Sequence, residues 1–149
     1  MTNVKFTKIY SDAHEPIRGS ALAAGYDLCA YIPGEITTKM INPHATVKIG
    51  TGLTIQPPKG YFGAIFARSG LATKQGLRPA NCVGVCDEDY TGEYIVAVHN
   101  DTDEVKYITH GERIAQLVFL PYIDVTFEEV SNLTETDRGS GGFGSTGAN

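Results

Sequence analysis

Gly84-Val85-Cys86-Asp87-Glu88-Asp89-Tyr90-Thr91-Gly92-Glu93-Tyr94-Ile95-Val96-Ala97-Val98-His99 sets two β-prone runs on either side of an acidic turn. β-Branched and aromatic residues suit a pleated, half-buried surface, while Asp and Gly favour the turn between them. The stretch is therefore expected to be a β-hairpin with Asp87, Glu88 and Asp89 at its tip. The same grammar extends outward in both directions. Strand-like runs occupy residues 4–10, 26–31, 46–49, 53–55, 61–67, 94–99, 105–108 and 114–122. Breakers such as Pro33-Gly34, Asn42-Pro43, Pro57-Pro58-Lys59-Gly60 and Asn100-Asp101 separate them. Many short strands with regular turn signals predict an all-β sandwich or barrel. One short helix is expected at Ser69–Gln75, capped by Ser69 and stopped by Gly76.

The 149 residues fit one domain with a sizeable core. Twelve Lys and Arg against 17 Asp and Glu give a net charge of -5. No basic stripe is present, which disfavours grip on a nucleic-acid polymer but leaves room for a small anion held by a few arginines. Three cysteines, an odd number, and an N-terminal stretch without an apolar leader fit reduced thiols in a cytosol-like compartment. The chain is expected to be cytoplasmic, or nuclear in a eukaryotic or viral host, not secreted and not in a membrane.

Several segments admit both a chemical and a plain structural reading, and taken singly the structural one is the default. The acidic tip is either a solvated turn or a set of carboxylates beside a pocket, with Tyr90 as rim or wall. Arg68-Ser69-Gly70 at the helix start is either an ordinary cap or an anion site, since unpaired N–H groups there favour negative charge. Ile114, Gln116 and Val118 are expected to share one strand face, where Gln116 needs a polar partner if buried. The run Arg138-Gly139-Ser140-Gly141-Gly142-Phe143-Gly144-Ser145-Thr146-Gly147 carries too little apolar surface to fold alone. It is either a mobile tail or an arm that closes on a ligand. Cys82 and Cys86 lie four apart, but further zinc ligands are lacking nearby, and His14, His44, His99 and His110 are scattered.

The identity and order of five segments resemble the motifs of the trimeric dUTP pyrophosphatases. They are Ala24-Gly25-Tyr26-Asp27-Leu28, Arg68-Ser69-Gly70-Leu71-Ala72, the stretch from Gly84 through Glu93, Gly111-Glu112-Arg113-Ile114-Ala115-Gln116-Leu117 and the glycine-rich run at 138–147. Cys86 departs from the family's more frequent Ile, and Thr91 from a basic or amide residue. The resemblance implies a single-domain distorted jelly-roll β-barrel over 1–136 and a flexible arm over 137–149 that closes the active site. It also implies a homotrimer whose sites are shared between chains. The implied reaction is hydrolysis of dUTP to dUMP and pyrophosphate by water attack at the α-phosphate, which limits uracil in DNA and supplies dUMP for dTTP synthesis.

Position by position, the resemblance makes Asp87 the general base and Tyr90 the platform under the deoxyribose that excludes a 2′-hydroxyl. Asn81, Gly84 and the main chain of Val85, Cys86 and Ile95 are expected to line the uracil pocket. Arg68, Ser69, Gly70 and Gln116 are expected on the phosphates, supported by Asp27 and Arg113. From the arm, Arg138 is expected on the phosphates, Phe143 over uracil, and Gly144, Ser145 and Thr146 toward the γ-phosphate. Mg²⁺ is expected through the phosphates and water, with no direct protein ligand. Rival readings are a dCTP deaminase-like enzyme, a regulatory binding module and a purely structural jelly roll of the same fold.

Overall fold

The structure, a computed structural model, describes residues 3–81 and 83–142. Among the described residues the chain forms β1 (Lys5–Lys8), β2 (Ile17–Arg18), β3 (Tyr26–Cys29), β4 (Thr38–Ile41), β5 (Thr46–Gln56), β6 (Tyr61–Phe66), α1 (Ser69–Gln75), β7 (Leu77–Pro79), β8 (Gly84–Cys86), β9 (Glu93–Asn100), β10 (Lys106–Thr109) and β11 (Arg113–Pro121). Three sheets result, ordered β1-β5-β9-β7, β2-β3-β11-β6-β8 and β10-β4. Every described pairing is antiparallel. The mostly β architecture with one short helix matches the sequence expectation. Among the described residues, no helix is long and apolar enough to cross a membrane.

Strand alternation builds the core between the two larger sheets. In β9, Tyr94, Val96, Val98 and Asn100 point inward, and Ile95 points out. Leu28, Leu53, Leu117 and Ile114 meet them from the other strands. Full burial of each such aliphatic side chain contributes about 1.5–3 kcal/mol. Asn100, wholly buried, fastens this layer. Its amide donates to the carbonyls of Ile41, Asn42 and Glu104, and its Oδ1 accepts from Thr102.

The hairpin expected around Asp87 does not form. β8 pairs with β6, whereas β9 pairs with β5 and β7, so the two strands flanking the acidic turn lie in different sheets. Alternation along a strand tells which face is buried but not which strand is the neighbour. Residues 46–49 and 53–55 also prove to be one strand, β5, interrupted by a bulge in its pairing with β9 between Gly50 and Thr54. The Glu93 carboxylate fills the bulge and accepts the Gly52 N–H at 2.8 Å, and the Thr51 hydroxyl donates to the Tyr94 carbonyl at 2.8 Å.

The helix has the expected bounds, and Gly76 ends it in a left-handed conformation at φ 67°. The cap itself shifts by one residue. Arg68, not Ser69, is the N-cap, in extended conformation and with no side-chain capping bond. In β11 a register shift between Arg113 and Ala115 breaks the simple alternation. Ile114 is therefore buried with Ala115, while Gln116 and Val118 are only half-buried.

Gly52 tests the bulge. Its φ of 68° suits glycine, and a Cβ there would lie 2.8 Å from the Ala13 Cβ and 3.1 Å from the Tyr31 ring. Gly52→Ala is expected to cost about 3 kcal/mol of stability in urea denaturation at fixed protein concentration. A loss below about 1 kcal/mol would contradict this account of the bulge.

Candidate functional site

Because β8 and β9 part into different sheets, a cleft opens between them. Its volume is about 180 Å³, and Asn81, Val85, Asp87, Tyr90, Ile95 and the inward face of Tyr94 line it, together with Gly84 and Cys86. β8 is the last strand of its sheet, so its outer backbone edge lacks a strand partner among the described residues. On the facing side, β7 pairs with β9 only from Val98 to Asn100, and the Ala80 N–H bonds the Ala97 carbonyl. The part of β9 from Glu93 to Val96 is left with an open edge on that side among the described residues. Two strand edges with backbone donors and acceptors at fixed spacing thus face a narrow slot walled by the half-exposed Val85 and Ile95. Such a slot suits a planar polar heterocycle. Gly84 helps to form it, since a Cβ there would lie 3.3 Å from the Asn81 amide nitrogen.

The turn that crosses between the sheets closes one end of the cleft. The Tyr90 N–H donates to the Asp87 carbonyl at 3.1 Å, and the Tyr90 hydroxyl donates to the Glu93 carbonyl at 2.9 Å. A Cβ on Gly92 would collide with the Tyr90 ring, so glycine there allows the ring to fold back over its own loop. The Asp87 side chain is exposed at the cleft rim and has no hydrogen bond or ion pair among the described residues. Its oxygens are free to accept from a ligand or water. Glu88 is the opposite: its Oε2 accepts the Tyr122 hydroxyl and the Gly60 N–H, both at 2.7 Å. These two donors hold its carboxyl below the usual carboxylate range.

Tyr94 and Cys86 form the floor. The Tyr94 hydroxyl is buried and lacks a hydrogen-bond partner of good geometry among the described residues. It faces the Cys86 thiol, a weak acceptor, and sits where a Cβ on Gly63 would approach it to 2.9 Å. Burial raises the hydroxyl's pKa strongly and pushes the Cys86 thiol up to about 11.

A second cluster is cationic. Asp27 on β3, only 8 % exposed, receives Arg68 Nε on Oδ1 at 2.8 Å and Arg113 Nη1 on Oδ2 at 3.1 Å. One carboxylate thereby orients two guanidiniums, and the pair of arginines leaves an excess positive charge around it. Gln116 stands beside them, in register with Asp27 on one side and Phe66 on the other. Gly25 makes room for it, since a Cβ there would come within 2.8 Å of Gln116 Oε1.

Within one chain the structure brings Asn81, Gly84, Val85, Cys86, Asp87, Tyr90 and Ile95 together at the cleft. It brings Asp27, Arg68, Arg113 and Gln116 together at the cationic cluster, with Ser69 and Gly70 beginning the helix next to Arg68. Among the described residues, none of this second group lines the cleft. Arg138 is exposed and donates to the Gly141 carbonyl at 2.9 Å. Phe143, Gly144, Ser145 and Thr146 lie outside the described residues, as does Cys82. The sequence reading missed Glu93 and Tyr94 in the cleft and the Glu88 contacts. For Glu88 the only signal was its place beside Asp87.

A protein-family model described as dUTPase matches residues 11–147. The chain is 53% identical over 126 residues to the deoxyuridine 5'-triphosphate nucleotidohydrolase of Desulfitobacterium hafniense, covering 84% of this chain and 82% of that protein. It is 40% identical over 144 residues to the protein of the same name from Syntrophotalea carbinolica, covering 97% and 96%. Among solved structures, the Staphylococcus bacteriophage 80alpha dUTPase with dUPNHPP superposes with a TM-score of 0.87 at 26% identity, covering 99% of this chain and 100% of that one.

The Cys86 thiol offers a check on the cleft floor. Because folding raises its pKa to about 11, the native state favours the neutral thiol. The resulting stability is fully present below the unfolded thiol pKa of about 8.5 and is lost as pH rises through the folded value. At pH 8, iodoacetamide is expected to label Cys86 much more slowly in the native protein than in urea, read peptide by peptide by mass spectrometry. Equal rates would contradict the half-buried placement of this thiol.

Proposed function

The chain belongs to the dUTPase family and hydrolyses dUTP, and on that footing we propose how its residues do so. Uracil enters the slot between β8 and β9, where the open backbone edges at Val85, Cys86 and Ile95, with the Asn81 amide, pair with its polar edge. Cytosine reverses the donor and acceptor at adjacent positions, leaving buried groups unpaired, and a site of this kind discriminates strongly against such a mismatch. Tyr90, fixed through its hydroxyl to the Glu93 carbonyl, forms the platform under the deoxyribose and leaves no room for a 2′-hydroxyl.

The slot is smaller than the roughly 300–1,000 Å³ typical of pockets that enclose a whole small ligand. The triphosphate therefore extends beyond it, to Arg68, Ser69, Gly70 and Gln116, with Asp27 and Arg113 holding the cluster in shape. Asp87, a rim carboxylate without a partner among the described residues, accepts a proton from a water that attacks the α-phosphorus. The new P–O bond forms as the bond to the bridging oxygen breaks, and pyrophosphate leaves while fixed donors stabilise its charge. The single observation that carries this reading is the Asp87 carboxylate, unpartnered among the described residues, at the mouth of a base-sized slot.

Mg²⁺ fits this arrangement as a companion of the substrate. Glu88 is already committed to two donors, and among the described residues no group of three His, Cys, Asp or Glu side chains is placed to cage an ion. The open oxygens of Asp87 and Asp89 beside the phosphate path suit the hydrated, weakly dehydrating Mg²⁺ of a nucleotide complex. Bound in that way, it would neutralise phosphate charge.

The separation of slot and cationic cluster within one chain supports a homotrimer in which each site draws on neighbouring subunits. Exposed apolar side chains point the same way: beyond β11, Ile123 is 82%, Phe127 95% and Leu133 85% exposed, which is the surface a second copy would cover. In this reading 1–136 is the β domain and 137–149 the closing arm. Arg138 binds phosphate, Phe143 stacks on uracil, and Gly144, Ser145 and Thr146 approach the γ-phosphate, so that closure excludes bulk water. Turnover of dUTP limits uracil in DNA and yields dUMP.

A pyrophosphate-release assay across dUTP, UTP, dCTP and dTTP with magnesium is expected to show strong preference for dUTP. Asp87→Asn is expected to lower kcat by about 10²–10⁴-fold while dUTP still binds. Near-normal turnover by the folded variant would remove Asp87 as the base.

A further inference from the structure

Asp87 is the first residue beyond the last ladder pair of β8, Cys86 with Gly63, so nothing in the sheet fixes where its carboxylate points. The residue after it is anchored instead. Glu88 Oε2 accepts from the Gly60 N–H in the turn between β5 and β6, and from the Tyr122 hydroxyl just past the end of β11. Those two anchors are themselves joined, because the Tyr122 N–H donates to the Gly60 carbonyl at 3.1 Å. Three segments far apart in sequence thus close a triangle around one carboxylate oxygen. Gly60 takes a left-handed φ of 77°, which presents its N–H and carbonyl to the two neighbours.

We propose that Glu88 is a positioning residue for the hydrolysis, a clamp that fixes the Asp87 turn against the β5–β6 turn and the root of the C-terminal segment. The proposal rests on the reading of Asp87 as the base. The lowered carboxyl and raised hydroxyl pKa of Glu88 and Tyr122 agree with a bond that favours the charged acceptor and the protonated donor. A catalytic group displaced by about 1 Å loses on the order of 10²-fold in rate, so a loosened turn is expected to act on kcat more than on substrate affinity. The contact also ties the catalytic turn to the segment from which the arm departs.

The test compares Glu88→Ala, Glu88→Gln, Tyr122→Phe and the double variant Glu88→Ala/Tyr122→Phe. kcat is expressed per site that binds the imido analogue dUpNHpp, so that misfolded protein does not count. Glu88→Ala is expected to lower kcat by about 10–100-fold with KM for dUTP within about threefold of wild type. Glu88→Gln keeps an acceptor oxygen in place and is expected to recover most of the rate. Tyr122→Phe is expected to lose about threefold, and the double variant to be no worse than Glu88→Ala, since both changes break one clamp.

A Glu88→Ala kcat within about twofold of wild type overturns the proposal, as do fully additive losses in the double variant. Equal impairment of the Ala and Gln variants would assign the effect to charge and also overturn it. If Glu88→Ala does not fold, Tyr122→Phe decides, and an unchanged kcat there is the contradicting result. Asp87→Asn measured alongside separates the two ideas. Normal turnover in that variant removes the base assignment, while its loss together with a normal Glu88→Ala removes only the clamp.

Discussion

Two strands that follow one another in the chain, β8 and β9, join different sheets, and the rest of the site depends on that parting. Had they paired, their backbone edges would have satisfied each other and left no slot. Instead β8 completes its ladder with β6, and the Tyr94 hydroxyl is wedged between the layers beside Gly63 and Cys86. A larger residue at Gly63 would drive that hydroxyl out. The arrangement has a cost, since a buried hydroxyl without a good acceptor loses about 1–3 kcal/mol. It yields two open edges facing each other and a crossing turn that carries Asp87.

The electrostatics follow a similar economy. An acidic protein of net charge -5 needs local positive charge to hold a triphosphate, and in the proposed reading the pair Arg68 and Arg113, ion-paired to Asp27, supplies it. The Arg113 side chain is 49% exposed, so its ion pair adds little stability. Its value is orientation: with one carboxylate between two guanidiniums, the remaining N–H groups are fixed before an anion arrives. Fixed donors need no reorganisation when charge builds on a leaving group.

Much of the fold was legible in local pattern. Strands β6, β9 and β11, the helix bounds and the stop at Gly76 follow from residue pattern, propensity and a glycine tolerant of left-handed φ. What failed was whatever depended on a distant partner. The supposed hairpin at Asp87 looked local because its turn residues are locally apt, yet its strands choose β6 and β5. Gly50 and Gly52 read as a break between strands because the Glu93 carboxylate that fills the bulge lies some way along the chain. The short β2, β4 and β7 offered too few residues for a pattern. At the site, single motifs were ambiguous, and their order along the chain gave them meaning through family resemblance. The Glu88 contacts were invisible for the same reason as the bulge, since Gly60 and Tyr122 approach only once the sheets have formed.

The central claim is that slot and phosphate grip come from different copies of the chain. It is tested most directly by mixing two variants, Asp87→Asn and Arg68→Ala, each impaired alone, under conditions that let subunits exchange. If sites are shared, mixed assemblies contain sites with both an intact Asp87 and an intact Arg68. Dilution-corrected dUTP turnover should then rise to roughly one quarter of wild type, because half the chains in a random mixture can supply each part. Turnover that stays at the average of the two variants after complete exchange would place each site within a single chain and contradict the account.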